Sequence, residues 1–342
     1  MKLQRKLTLL LFITLFAPLS LRAQSEQLYG EIGNLKLESG KVIKNCRIGY
    51  RVYGSLKPDK SNVILFPTWF SGKSEDLAGS VGPEGLVDPS KFFVVTVDAL
   101  GDGVSSSPSN SATQPNNTFP EFTIHDMINA EHQLLTSVLG IHHIHAVMGI
   151  SMGGMQTFAW ITQYPNFMDE AVPIVGSPRL TAYDKLLWTA ELDAIKEGLK
   201  SGASKVMISN TINEIHTMNL TTPDYRIDHT KTGNFTKFIT KSDKEFEPAF
   251  NPYDWASQLR AMLAQNIYKP FNDSIPATAN TIKAKVFMVV SMQDHMVNPH
   301  PALKLAPYIH AKVMKLHTDC GHLGPGCKAD KVDPAVRAFL EN

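Results

Sequence analysis

Apolar and polar positions divide the chain into three regimes. From residue 28 to residue 53 strand signals dominate. Beyond them, short continuous apolar runs at 62–66, 92–97, 146–148 and 171–175 alternate with stretches of helical character. That alternation predicts a mostly parallel central sheet, buried on both faces, with helices covering both sides. Within residues 179–283 the pattern changes: 187–195 and 255–263 repeat with helical period, and the polar stretch between them has no strand alternation. Two further strand-like runs follow, at 285–290 and 311–317. The runs flanking the change belong to one sheet. The expected organisation is therefore an α/β core of residues 24–178 and 284–342, with residues 179–283 inserted as a helical cap.

The N-terminus stands apart. Lys2, Arg5 and Lys6 precede an almost wholly apolar run, 7–21, and Ala23 offers a small residue at a cleavage point before polar Gln24-Ser25-Glu26-Gln27. The run is too short for a span, so residues 1–23 are expected to be a cleavable signal peptide rather than a membrane anchor. A secreted or periplasmic protein with no membrane span in the mature chain follows.

Composition fits a folded domain: 342 residues, 43% hydrophobic and 19% charged, with a net charge of +1. Losing Lys2, Arg5, Lys6 and Arg22 with the signal peptide leaves 29 basic against 32 acidic residues, a mature net charge of −3. No charge run points to nucleic acid as a partner. No internal repeat, phosphate-cradling glycine loop or zinc-type Cys/His spacing is present, so no cofactor or metal is implied. Oligomeric state is not encoded in any of these patterns.

Candidate chemistry centres on Gly149-Ile150-Ser151-Met152-Gly153, a Gly-x-Ser-x-Gly motif between the run 146–148 and the run 157–160. Strand, sharp turn and helix are the context a nucleophilic serine needs, because glycines carry no Cβ to collide where the chain folds most tightly. A triad then requires an acid and a histidine in loops after later strands. Asp294, after the run 285–290, is the candidate acid, and His322, after the run 311–317, the candidate base. Asp98, after the run 92–97, and Asp319, in the loop of His322, are rival acids. His142, His143 and His145 sit at the start of the nucleophile strand, the end opposite the turn, and are expected to be structural.

An oxyanion hole needs two main-chain N–H donors, one following the nucleophile and one in the loop after an early core strand. Met152 supplies the first. Trp69 is the candidate for the second, with Phe70 as alternative, and the two rings are either an apolar wall beside the acyl group or ordinary core. Cys320 and Cys327 bracket His322, and either a disulfide restraining that loop or two reduced thiols fits the spacing. Cys46, in a strand-like run, is expected to be a buried thiol.

Gly149-Ile150-Ser151-Met152-Gly153-Gly154-Met155-Gln156, with Phe119-Pro120, Thr123-Ile124-His125-Asp126-Met127, Asp98-Ala99-Leu100-Gly101 and Arg260-Ala261-Met262, resembles the homoserine O-acetyltransferase family of α/β-hydrolases over most of the chain after Tyr29. The resemblance implies an α/β-hydrolase fold and an acyl-serine intermediate on Ser151, with Asp294 and His322 as acid and base. Two departures argue against the namesake reaction. Leu323 stands where those transferases have an Asp that helps bind the substrate amino group. The stretch 206–212 also lacks the cap arginine that holds the homoserine carboxylate. Phe70, Leu323 and Arg260 are the candidate pocket residues. With acetyl-CoA confined to the cytosol and water always available, the expected function is an exported serine esterase acting on a small-molecule ester. An O-acyltransferase, a cofactor-free perhydrolase and a non-catalytic ligand-binding module are the alternatives.

Overall fold

A computed structural model describes residues 25–342, so the expected signal peptide lies outside the described residues. Strands β1 (Leu28–Lys36), β2 (Val42–Tyr53), β3 (Val63–Pro67), β4 (Phe93–Val97), β5 (Ile144–Ile150), β6 (Met168–Ile174), β7 (Lys285–Ser291) and β8 (Lys312–Leu316) form one sheet. Their spatial order is β1-β2-β4-β3-β5-β6-β7-β8. The pairs β1/β2 and β2/β4 are antiparallel, and every pairing from β4 through β3 to β8 is parallel. The α/β architecture expected from the alternating runs is the one found.

The continuous runs form strands with no wet face. All five residues of β3 are buried, and side chains of alternate residues enter different apolar clusters, Val63 and Leu65 in one, Ile64 and Phe66 in the other. Helices α1 (Ile124–Gln133) and α2 (Met152–Gln163) contribute to the first cluster. A capping box starts α1: the Thr123 hydroxyl accepts the Asp126 N–H while the Asp126 carboxylate accepts that of Thr123.

Between β6 and β7 the chain forms α3 (Ala182–Ser201), α4 (Lys205–Leu220), α5 (Pro223–His229), α6 (Phe235–Phe246), α7 (Pro252–Leu263) and α8 (Ile275–Ala279). The two helices expected from periodicity lie within α3 and α7. The polar stretch for which periodicity predicted no element forms α4, α5 and α6. Ser204 and Thr222 start α4 and α5 by accepting main-chain N–H groups, and α6 has no buried residue, which is why composition there reads as polar. Asp184 has two tasks: one oxygen closes the capping box of α3, and the other accepts the Asn298 N–H at 2.9 Å in the loop after β7.

The C-terminal part adds α9 (His300–Leu305), α10 (Gly324–Cys327) and α11 (Ala329–Leu340). Val332, Val336 and Leu340 of α11 join the second apolar cluster, so helices cover both faces. Among the described residues no helix is long and apolar enough to cross a membrane.

Candidate active site

Ser151 sits between the last residue of β5 and the first of α2, with φ 58° and ψ −117°. That is a strained conformation for a residue with a side chain, and it is held because the neighbours leave no alternative. The Ser151 N–H donates to the Ile174 carbonyl at 2.9 Å. A Cβ on Gly149 would stand 2.2 Å from the main chain of Gly153, and one on Gly153 would stand 2.6 Å from the Pro67 carbonyl. Both glycines are therefore required by contact.

The structure brings Ser151, Asp294 and His322 together. His322 Nε2 lies 2.8 Å from Ser151 Oγ, and its Nδ1 lies 2.7 Å from Asp294 Oδ2. The other oxygen of Asp294 accepts the N–H groups of Met296 at 2.8 Å and Val297 at 2.9 Å. These bonds fix the carboxylate, so the imidazole is oriented by an anchored group. Asp294 and His322 are both buried.

The rival acids are engaged elsewhere. Asp98 accepts from the Ser74 N–H at 2.6 Å, the Ser74 hydroxyl at 2.8 Å and the Gln27 amide at 2.9 Å. Asp319 interacts with the Thr318 hydroxyl through its side chain, while its carbonyl accepts from Thr222. His143 and His145 bond Asn166, Asp169 and Leu340 at the far end of β5.

The base is carried on a tethered loop. Cys320 and Cys327 form a disulfide across it, and the Thr222 N–H and hydroxyl donate to the Asp319 carbonyl at 3.1 and 2.7 Å. Of the two states the spacing allowed, the bonded one is present. Cys46 is buried and free, and burial pushes its thiol up to about 12.

The main-chain N–H groups of Met152, Trp69 and Phe70 have no protein acceptor among the described residues. Their loop is anchored on both sides. Gln156 Nε2 donates to the Thr68 carbonyl at 3.0 Å, and Gln258 Oε1 accepts the Ser71 N–H at 2.8 Å. The two aromatic side chains part ways: Trp69 is partly buried against the second apolar cluster, whereas Phe70 packs edge-on against Trp255 and Trp188, with centroids 4.4 and 5.8 Å away. Phe70 thus joins the loop to the helices between β6 and β7.

Leu323 directly follows His322 and is 45% exposed. Arg260 needs correction as a pocket residue of this site. It pairs with Glu121 at 3.2 Å and lines a cavity of about 380 Å³ with Asn116, Phe119 and Tyr253, and none of Ser151, Asp294 and His322 is in that wall. Gln258 and Arg260 are two residues apart on α7, so they point to nearly opposite sides, and it is Gln258 that faces the site. The anchoring roles of Gln156 and Gln258 come from the packed structure and lie beyond the sequence pattern. Gln156 was part of the motif that carried the family resemblance, but neither glutamine falls at a spacing that announces its role.

Comparison with known proteins gives a consistent neighbourhood. Residues 63–325 match the family model described as alpha/beta hydrolase fold. An ethyl acetate hydrolase from Pseudomonas veronii is 39% identical over 166 residues, 48% of each chain. A homoserine O-acetyltransferase from Pelobacter propionicus is 38% identical over 164 residues, 42% of this chain and 44% of that one. The chain thus spans about half the length of the curated relatives it matches. The solved structure of the acetyl esterase MekB superposes with a TM-score of 0.86 at 26% identity, covering 93% of this chain and 98% of that one.

Proposed function

The chain belongs to the α/β-hydrolase fold family, where it is similar to both esterases and homoserine O-acetyltransferases, and from that premise we propose that it is an exported serine carboxylesterase. The observation that carries the reading is His322, placed between Ser151 Oγ at 2.8 Å and Asp294 at 2.7 Å, with Leu323 rather than a carboxylate beside it.

In this reading Ser151 Oγ attacks the ester carbonyl as His322 Nε2 takes its proton, and Asp294 stabilises the imidazolium. The developing oxyanion accepts from the Met152 and Trp69 N–H groups, donors that require no rearrangement at the moment of attack and are worth about 3–4 kcal/mol each in comparable sites. Collapse expels the alcohol, which receives the proton from His322. Water then attacks the acyl-serine with the same base assistance, releasing the acid and restoring Ser151.

The substrate is a small ester. At Leu323 an amino-acid acceptor would present its ammonium to an apolar side chain, which weighs against homoserine and favours water. Export is supported by the N-terminal sequence pattern and by a disulfide that an oxidising compartment maintains. An O-acyltransferase is the second reading, favoured by the similarity to homoserine O-acetyltransferases; it uses the same serine chemistry.

A side-by-side assay decides between them. The purified mature protein is expected to hydrolyse short p-nitrophenyl esters and to lose that activity in Ser151→Ala. No burst or turnover with those esters, together with acetylation of an alcohol from acetyl-CoA, overturns the esterase reading.

A further inference from the structure

A second histidine is oriented by a buried carboxylate, this one among the helices between β6 and β7. Glu191, on α3, is fully buried. Its Oε1 lies 3.1 Å from Nδ1 of His216, on α4, and its Oε2 accepts the indole N–H of Trp255, on α7, at 3.0 Å. In the tautomer that donates its Nδ1–H to this carboxyl group, the imidazole presents Nε2 as an acceptor. No protein group among the described residues bonds that Nε2.

The surroundings of His216 are aromatic. Its ring centroid lies 5.3 Å from Trp255, 6.0 Å from Phe70 and 6.1 Å from Trp188. Trp188 is 2% exposed, yet its indole Nε1 has no acceptor among the described residues. A buried N–H without a partner destabilises the fold unless a ligand or water fills the role. One aromatic cluster thus brings together an unpartnered indole N–H and an imidazole whose Nδ1 faces Glu191 and whose Nε2 has no protein partner among the described residues.

This cluster borders the catalytic serine's site on two sides. Phe70 follows Trp69, the proposed oxyanion donor. His216 lies one helical turn before Leu220, whose carbonyl oxygen would stand 3.1 Å from a Cβ on Gly321, the residue preceding His322. His216 therefore sits between the loop that stabilises the oxyanion and the loop that carries the base.

We propose that Trp188 Nε1 and His216 Nε2 form a subsite that recognises a single hydroxyl group on the ester, which accepts from the indole and donates to the imidazole. The inference rests on the esterase reading and narrows its substrate class to small esters bearing a hydroxyl on the portion that reaches this aromatic cluster. Other groups fit less well. A carboxylate has no hydrogen for Nε2, an ammonium cannot accept from Trp188, and an alkyl group leaves both partners unpaired. Glu191 acts through His216 and is a positioning residue.

The test compares kcat/KM within two matched pairs. p-Nitrophenyl 3-hydroxybutyrate against p-nitrophenyl butyrate places the hydroxyl on the acyl side, and 2-hydroxyethyl acetate against propyl acetate places it on the alcohol side. The wild type is expected to prefer the hydroxylated member of one pair by roughly tenfold, as two hydrogen bonds allow. That ratio should fall to near parity in His216→Phe and in Trp188→Phe, the latter keeping an aromatic ring in place and removing only an unpartnered N–H. Parity in the wild type for both pairs means that the subsite holds a resident water only and overturns the proposal. Variants that lower both members equally, leaving the ratio intact, overturn it as well, since that is the signature of a structural role. If the wild type cleaves none of the four esters, the esterase reading fails separately. Calorimetric titration of the same pairs into Ser151→Ala then decides the subsite: tighter binding of a hydroxylated member supports it, and equal binding overturns it.

Discussion

The side chain of Gln258 holds the Ser71 main chain, its Oε1 accepting the Ser71 N–H at 2.8 Å while its Nε2 donates to the Leu100 carbonyl at 3.0 Å. Ser71 has a φ of 60°, so the turn it makes depends on such an anchor. Gln156 secures the Thr68 carbonyl on the other side of Trp69. A residue of α7 thereby sets the geometry of the loop that supplies the second oxyanion donor. Gln258→Leu is expected to lower kcat roughly 10- to 100-fold with a smaller change in KM, since a displaced donor loses transition-state stabilisation more than substrate binding. Steady-state kinetics on the folded variant check this, and an unchanged kcat removes the loop-positioning role.

The triad acts as a unit. Ser151→Ala or His322→Ala should each lower kcat by roughly 10⁴ to 10⁶, and Asp294→Asn somewhat less. Asp98→Asn should leave turnover near the wild-type value, because Asp98 bonds Ser74 and Gln27 and makes no bond to His322. Fluorophosphonate labelling should vanish in Ser151→Ala, fall steeply in His322→Ala and persist in Asp98→Asn. A rate loss in Asp98→Asn with none in Asp294→Asn reverses the assignment of the acid.

The Cys320–Cys327 disulfide closes a loop of sequence separation 7 that contains His322. Replacing both cysteines by serine should cost about 2–3 kcal/mol of stability by the chain-entropy relation for so short a loop. Loss of the tether should also reduce kcat, because the base is then less well held against Ser151. Urea unfolding and kinetics with and without reductant measure the two effects. Equal stability of the reduced and oxidised protein would show that Thr222 and the packing of Gly321 suffice to hold the loop.

Positions governed by the local run of sequence were legible, and positions governed by helix rotation were not. Ser151, Asp294 and His322 each follow an apolar run, and in a parallel sheet the loops after such strands gather at one edge, so position along the chain nearly determines position in space. Arg260 and Gln258 show the limit. The period of 255–263 predicted a helix, but which side of it met the Ser71 loop depended on how α7 packs, and Gln258 rather than Arg260 faces that loop. The Glu191–His216 pair depends on the mutual placement of α3 and α4, and the polar stretch that contains α4 carried no periodic signal to place it. The spacing of Cys320 and Cys327 allowed a disulfide without requiring one.

The core holds a carboxyl group whose proton bears on stability. Glu131, on α1, is fully buried; one oxygen accepts the Trp160 N–H at 2.6 Å and the other has no partner among the described residues. Burial pushes its carboxyl from 4.5 up to about 8, with the Trp160 bond opposing the shift. Between those pH values the unfolded chain releases a proton that the folded chain keeps. The stability contributed by the neutral group is thus fully present below pH 4.5 and is lost as pH rises through about 8. Glu131→Gln keeps an acceptor for Trp160 and cannot ionise, so it should remove this slope. Relative to wild type it is expected to gain stability as pH rises, by up to about 1.4 kcal/mol per pH unit across the window and a few kcal/mol in total. Urea unfolding of both proteins at about pH 5, 6.5 and 8 measures the difference. A difference that stays constant with pH would mean that Glu131 titrates alike in the folded and unfolded chains, and that solvent reaches it in the native state.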